Sequence, residues 1–183
     1  VKKAAALLYP GTKVVVIGAG GLGHIGIQCL KALTPAEIIV VDRSHEALTL
    51  ARNQGADYTV LADGKQVSQV KELTDGLGAE AIIDFVGEGD ALEHGVAMLK
   101  RAGSYYIVGY GGLLNVPTMQ ITATEVNFVG NLVGTYNDLV ELMTLVAQNK
   151  ITLHTTVYPL SAANEAFHAL ASGSLRGRAI LVP

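Results

Sequence analysis

Residues Lys13 to His24 read KVVVIGAGGLGH, and the fold turns on how this stretch is read. KVVVIG is an unbroken apolar run rich in β-branched residues, the pattern of a strand buried on both faces. Leu22 to Leu33 follow with helical spacing, and Leu22, Ile25, Gly26, Cys29, Leu30 and Leu33 are expected on one buried stripe. Between strand and helix stands Gly18-Ala19-Gly20-Gly21-Leu22-Gly23, a G-x-G-x-x-G turn. In a chain with 21 glycines the pattern alone is weak. Its position, directly after a buried strand and opening a helix, is where a dinucleotide-binding turn must lie. Gly18 permits the tight turn, Gly20 lets a pyrophosphate approach the backbone, and Gly23 lets the helix pack close to the strand. The helix N-terminus offers free N–H groups and a partial positive charge to phosphates. The alternative is a glycine-rich turn that serves strand–helix packing alone.

Asp42 ends the next β-like run, Glu37 to Asp42 (EIIVVD), about 20 residues beyond the turn, where an acidic residue meets the adenosine ribose hydroxyls. A carboxylate there repels a 2′-phosphate, so NAD is expected over NADP. Arg43 pulls the other way, because a guanidinium pairs with phosphate. Asp42 could instead serve only as a helix N-cap near Ser44.

Further along, β-like runs alternate with helical ones. Strands are expected near Tyr58–Leu61, Ala81–Phe85, Ser104–Val108, Glu125–Val133, Thr155–Tyr158 and Ala179–Val182. Helices are expected at Val1–Leu8, Ser44–Gln54, Lys65–Thr74, Asp90–Leu99, Tyr136–Gln148 and Ala162–Ala171. Strands separated by helices imply βαβ units. The expected fold class is therefore α/β, a Rossmann-type doubly wound parallel sheet with helices on both faces. Tyr110–Thr124 reads as the longest loop, and loops of that length are often functional.

Of the 183 residues, 50% are hydrophobic and 16% charged, with net charge −3, which argues against disorder, nucleic acid and anionic membrane surfaces. No apolar run reaches the ~18 residues of a membrane span. The single Cys29 excludes an internal disulfide and any multi-cysteine metal site within the chain, which fits a reducing, cytoplasmic setting. The chain opens at Val1 on helix-forming residues that nothing caps, so it is expected to be a fragment cut inside a helix.

With the glycine turn, Asp42, Asp84-Phe85-Val86-Gly87, Ile107-Val108-Gly109-Tyr110-Gly111-Gly112 and Gly177-Arg178-Ala179-Ile180-Leu181-Val182 laid out, the chain resembles medium-chain dehydrogenase/reductases. Within them it is most similar to the NAD-dependent, zinc-type alcohol dehydrogenases, over essentially its whole length. The resemblance implies that residues 1–10 are the tail of a helix from an N-terminal catalytic domain, 11–152 the dinucleotide-binding domain, and 153–183 a segment that packs back on the catalytic domain. It implies cofactor contacts from Gly18, Gly20, Gly21, Leu22, Gly23, Asp42 and Arg43. Val86 and Gly87 would line the cleft, Val108, Gly109 and Tyr110 would lie beside the nicotinamide, and Asn131, Leu132 and Val133 would add backbone contacts. Arg178 would reach the pyrophosphate, with Arg176 as the fallback. The family's catalytic zinc is held by cysteines and a Gly-His-Glu segment in the N-terminal domain. No catalytic or metal-ligating residue is therefore expected in this chain. An NAD(H)-dependent homo-oligomer acting on a small alcohol or carbonyl compound is implied.

Other features are set aside. His24 could bond near the phosphates, or simply pack. His45, His94, His154 and His168 lack the mutual spacing of a zinc site. Tyr9-x-x-x-Lys13 precedes the first strand and is a chance match. Cys29 is expected as a small buried residue. Asp84 has no second carboxylate or base with it and is expected to be structural or at the cleft edge. Competing functions are a zinc-independent quinone or enoyl reductase module, a non-catalytic dinucleotide-sensing domain and, more remotely, a SAM-dependent methyltransferase.

Overall fold

Lys13–Ile17 (β1) lies in the middle of a sheet whose every strand is parallel to its neighbours. A computed structural model describes residues 1–183. The other strands of this sheet are Glu37–Asp42 (β2), Tyr58–Leu61 (β3), Ala79–Asp84 (β4), Leu99–Ile107 (β5) and Asn127–Gly130 (β6), in the order β3-β2-β1-β4-β5-β6. The chain runs outward from β1 to β3, crosses back to β4 beside β1, and runs outward again. The order reverses between β1 and β4, and the C-terminal ends of strands at such a switch point form a crevice.

The helices are Lys2–Ala5 (α1), Gly23–Leu33 (α2), His45–Asn53 (α3), Gln66–Leu73 (α4), Ala91–Met98 (α5), Thr118–Thr124 (α6), Tyr136–Ala147 (α7) and Ala163–Ala171 (α8). Alternation along the strands divides the core in two. Val14, Val16, Ile38, Val40, Ala81 and Ile83 turn to one face, where Ile27 and Leu30 of α2 and Leu48 of α3 cover them. Val15, Ile17, Ile39, Val41 and Ile82 turn to the other, against Val70 of α4 and Leu92 and Met98 of α5. Each central strand is thus buried on both sides, which is why its sequence is apolar throughout. Two further parallel strands, Thr155–Pro159 (β7) and Arg178–Val182 (β8), form a separate small sheet whose side chains are largely exposed.

Three expectations are corrected. On α2, Leu22 and Leu33 are 52% and 47% exposed, while His24, Ile27 and Gln28 are buried. Leu22 is the N-cap and Leu33 the last residue, and both ends project from the packed middle of the helix. The run Glu125–Val133 is a strand only over Asn127–Gly130. Glu125 ends α6 in the left-handed conformation (φ 58°) and Val133 also has positive φ (44°), so neither can continue a ladder. Tyr110–Thr124 is not irregular throughout, because its last residues form α6.

Candidate nucleotide site

At the end of β1 the glycines are required for two different reasons. Gly18 has φ +88°, and a Cβ there would lie 2.8 Å from Val86 Cγ2. A Cβ at Gly23 would collide with the Gly18 carbonyl oxygen, so this glycine seats α2 directly on the strand end. Gly20 differs. It is exposed, its φ is not positive, and no atom of the protein lies within 4 Å of where its Cβ would be. Nothing inside the protein needs a glycine at this position. The backbone N–H groups of Gly20, Gly21 and Leu22 donate to no group of the chain, leaving a cluster of donors at the N-terminus of α2.

Asp42, at the end of β2, faces this turn. Its Oδ2 accepts a hydrogen bond from the Ala19 N–H at 2.8 Å and its Oδ1 accepts one from the Ser44 N–H at 2.8 Å. The N-cap of α3 is Ser44, whose hydroxyl accepts from the Ala47 N–H, so Asp42 is not itself the cap. A carboxylate has about four acceptor positions, and those left over on half-buried Asp42 remain available. Arg43 is exposed beside it on the same cleft wall.

Asp84, at the end of β4, is fully buried. Its Oδ1 accepts from the N–H groups of Val86 (2.8 Å) and Gly87 (3.0 Å), and its Oδ2 accepts from the Tyr105 hydroxyl (2.8 Å). Burial, reinforced by the Asp84 charge and hydrogen bond, pushes the Tyr105 hydroxyl far above the usual tyrosine range, so it stays a donor. The Asp84 carbonyl accepts from the N–H groups of Val108 and Gly109 at 2.9 Å each. One buried residue thus ties together the loops that follow β4 and β5. Those loops touch so closely that a Cβ on Gly87 would collide with Gly109, and one on Gly109 with Val86.

A cleft of 1140 Å³ runs over this end of the sheet. Its walls include Gly18, Gly20 to Gly23, Asp42, Arg43, Val86, Arg176 and Arg178. Gly87 is buried beneath the wall, against Gly109. Val108, Gly109, Tyr110, Asn131, Leu132 and Val133 lie past the ends of β5 and β6, outside the cleft proper. Tyr110 and Leu132 are 85% exposed and Val133 is 95% exposed, while the Asn131 N–H donates to the Ile107 carbonyl at 2.9 Å. Arg178 crosses from β8, its Cδ 3.0 Å and its Nη1 3.1 Å from the Cβ position of Gly21. Arg176 instead pairs with Glu46 at 3.4 Å across the cleft rim.

Sequence reasoning left His24 and Gln28 out of the site. Both are buried on α2 and both bond to residues 152–154. Two polar residues four apart on an otherwise apolar helix face were the available signal. No group of three or more His, Cys, Asp or Glu side chains could hold a metal ion, and no helix is long and apolar enough to cross a membrane.

Comparison with known proteins shows the family. Residues 21–148 match the family model described as zinc-binding dehydrogenase. The chain is 40% identical over 182 residues to an NAD-dependent alcohol dehydrogenase of Sulfurisphaera tokodaii, covering 97% of this chain and 52% of that protein. It is 31% identical over 174 residues to an alcohol dehydrogenase of Geobacillus stearothermophilus, covering 94% of this chain and 51% of the relative. Among solved structures, the alcohol dehydrogenase of the hyperthermophilic archaeon Aeropyrum pernix superposes with a TM-score of 0.97 at 44% identity, over 100% of this chain and 53% of the other. The chain therefore spans about half the length of the relatives it matches. From its glycine turn through α7, this chain belongs to the zinc-binding dehydrogenase family.

Proposed function

We propose that this chain binds NAD(H) across the β1–β4 end of its sheet and orients the nicotinamide for hydride exchange with an alcohol or carbonyl compound in a longer enzyme. The observation that carries the proposal is Gly20, a glycine unexplained by any contact within the protein and flanked by unpaired N–H donors. A pyrophosphate over the turn explains both. Asp42 would receive the adenosine ribose hydroxyls, Arg178 the pyrophosphate, and the crossed Gly87–Gly109 backbones would form the floor toward the nicotinamide. Val108, Tyr110 and Asn131 to Val133 would border that ring. NAD supplies the hydride acceptor when bound, and the chain contributes binding and orientation. The names of the relatives favour NAD over NADP and an alcohol as second reactant. Zinc, if the longer enzyme uses it, would take its ligands from outside these residues.

Calorimetric titration of the 183-residue chain with NADH tests the proposal: saturable binding is expected, and no heat at millimolar ligand would refute it. Asp42→Ala should weaken NADH by about 1–3 kcal/mol, the scale of charge-assisted hydrogen bonds, and relax the bias against NADPH. An unchanged NADH-to-NADPH ratio would remove Asp42 from the ribose site.

Two further features accompany this proposal. A reducing cytoplasmic setting suits the lone, buried Cys29 thiol. Pairing of two copies suits the open edge at β6, the last strand of the sheet. Phe128 and Val129 turn into the two halves of the core, so the exposed element of that edge is its backbone, with Leu132 and Val133 beyond it. Edge-to-edge pairing would satisfy those backbone groups. Sedimentation velocity at high micromolar concentration should find a dimer, and a persistent monomer would rule this pairing out.

A further inference from the structure

We propose that His24 and Gln28 form a latch on α2 that positions Arg178 over the glycine turn, so that the small β7–β8 sheet and the dinucleotide site are ordered together. The inference rests on the NAD-binding reading above and adds two positioning residues to it.

The connection can be followed atom by atom. Gln28 uses its whole side-chain amide: Oε1 accepts from the Thr152 N–H at 2.8 Å, while Nε2 donates to the Thr152 carbonyl at 2.9 Å and the His24 carbonyl at 3.0 Å. His24 uses both ring nitrogens. Its Nδ1 lies 2.9 Å from the Gly20 carbonyl oxygen, and its Nε2 lies 3.3 Å from the His154 backbone nitrogen. A carbonyl can only accept and a backbone N–H can only donate. The ring is therefore neutral, with its proton on Nδ1. One side of the imidazole grips the glycine turn itself and the other grips the strand entering β7.

From His154 the path continues without a gap. Its carbonyl accepts from the Arg178 N–H at 2.9 Å, at the start of the β7–β8 pairing. Gly177 has φ +66°, and a Cβ there would collide with that same carbonyl, so the two strands approach as closely as a glycine allows. Arg178 then extends over Gly21, which also lacks the Cβ that would displace it. The other anchors of this unit are few: β7 and β8 are mostly exposed, Arg176 pairs with Glu46 at the surface, and Ile151 and Ala166 are its buried apolar residues. Arg178 side-chain placement thus depends on two polar residues in a helix far from it in sequence. Protonation of His24 would remove the acceptor at Nε2. Burial opposes that protonation most, the Gly20 carbonyl favours it, and His154 and Arg178 add to the opposition.

The test uses the 183-residue chain with Gln28→Ala, His24→Ala and Arg178→Ala, singly and combined. NADH and adenosine are the ligands, since adenosine keeps the base and ribose contacts but carries no phosphate. Latch variants should weaken NADH about tenfold, the cost of one charge-assisted contact, and leave adenosine within about twofold. In the Arg178→Ala background Gln28→Ala should weaken NADH by less than about twofold more, because the group it positions is gone. Independently of any ligand, amide hydrogen exchange in residues 153–158 and 176–182 should speed up at least about tenfold, with the six-stranded sheet unchanged. Equal losses for adenosine and NADH, additive losses of Gln28→Ala with Arg178→Ala, or unchanged exchange in those two segments would each overturn the latch. If Gln28→Ala does not fold, Gln28→Glu keeps the bond from the Thr152 N–H, removes those to the Thr152 and His24 carbonyls, and is read the same way. Wild-type chain that binds no NADH would refute the proposed function, and the exchange experiment would still decide the latch.

Discussion

Gly20→Ala separates a glycine kept for the fold from one kept for a ligand. The Cβ would enter open space, with no protein atom within 4 Å, at a backbone conformation that has no positive φ. Removing a glycine's freedom in the unfolded chain at such a site stabilises by about 0.4–1 kcal/mol. For a chain of this size that is a rise in Tm of about 1–4 °C. Binding should move in the opposite direction. A phosphate oxygen bonded to the Gly20–Leu22 N–H groups must sit about 3 Å from nitrogen, whereas carbon and oxygen approach no closer than about 3.3 Å. The added methyl pushes the pyrophosphate away and lengthens at least one charge-assisted hydrogen bond past its useful range. At about 1.5–3 kcal/mol per bond, NADH affinity should fall by roughly ten- to a hundredfold.

Thermal unfolding and NADH fluorescence titration of the same preparation read both quantities. Gly23→Ala is the contrast, because its Cβ would strike the Gly18 carbonyl and should cost about 1–3 kcal/mol of stability or more. A Gly20→Ala protein that binds NADH within twofold of wild type would refute the reasoning. The turn would then be a packing device only, and the main support for the proposed function would be gone.

Two other outcomes follow from the buried polar groups. Tyr105→Phe removes the donor to Asp84 Oδ2 and leaves that buried oxygen unpaired, so it should destabilise by about 1–3 kcal/mol; a urea midpoint equal to wild type would show that water replaces the hydroxyl. Burial, with Arg178 and His154 adding to it, holds His24 below the ordinary histidine range. The unfolded chain therefore takes up the proton first, and stability should fall as pH drops below about 6.5 and be flat above it. Urea midpoints at pH 7.5 and 5.5 should differ, and differ less in His24→Gln; equal differences in the two proteins would clear His24 of that role.

What the sequence revealed about this molecule depends on how far each interaction reaches along the chain. KVVVIG and EIIVVD could be recognised as central strands because burial on both faces leaves no polar position to confuse the period. The turn at Gly18–Gly23 and its neighbour Asp42 were legible for a related reason: a strand–turn–helix junction fixes its glycines at short spacings, and Asp42 ends the adjoining strand. The ends of the Glu125–Val133 run were not, because composition favours a strand there and only the backbone shows that Glu125 and Val133 are left-handed. Asp84 was read as structural or at the cleft edge, and the bond that occupies it required Tyr105, which only the β4–β5 register brings opposite. His24 and Gln28 are the hardest case. Their partners Thr152 and His154 lie more than a hundred residues away, and nothing local identifies them. Burying an amide and an imidazole unpaired would cost several kcal/mol between them, so their presence on an apolar helix face already demands partners. That demand can be read from sequence once the helix face is known to be buried, whereas the identity of the partners cannot. The proposed site, with its glycine turn local and its arginine held from across the chain, is therefore only half visible before the fold is known.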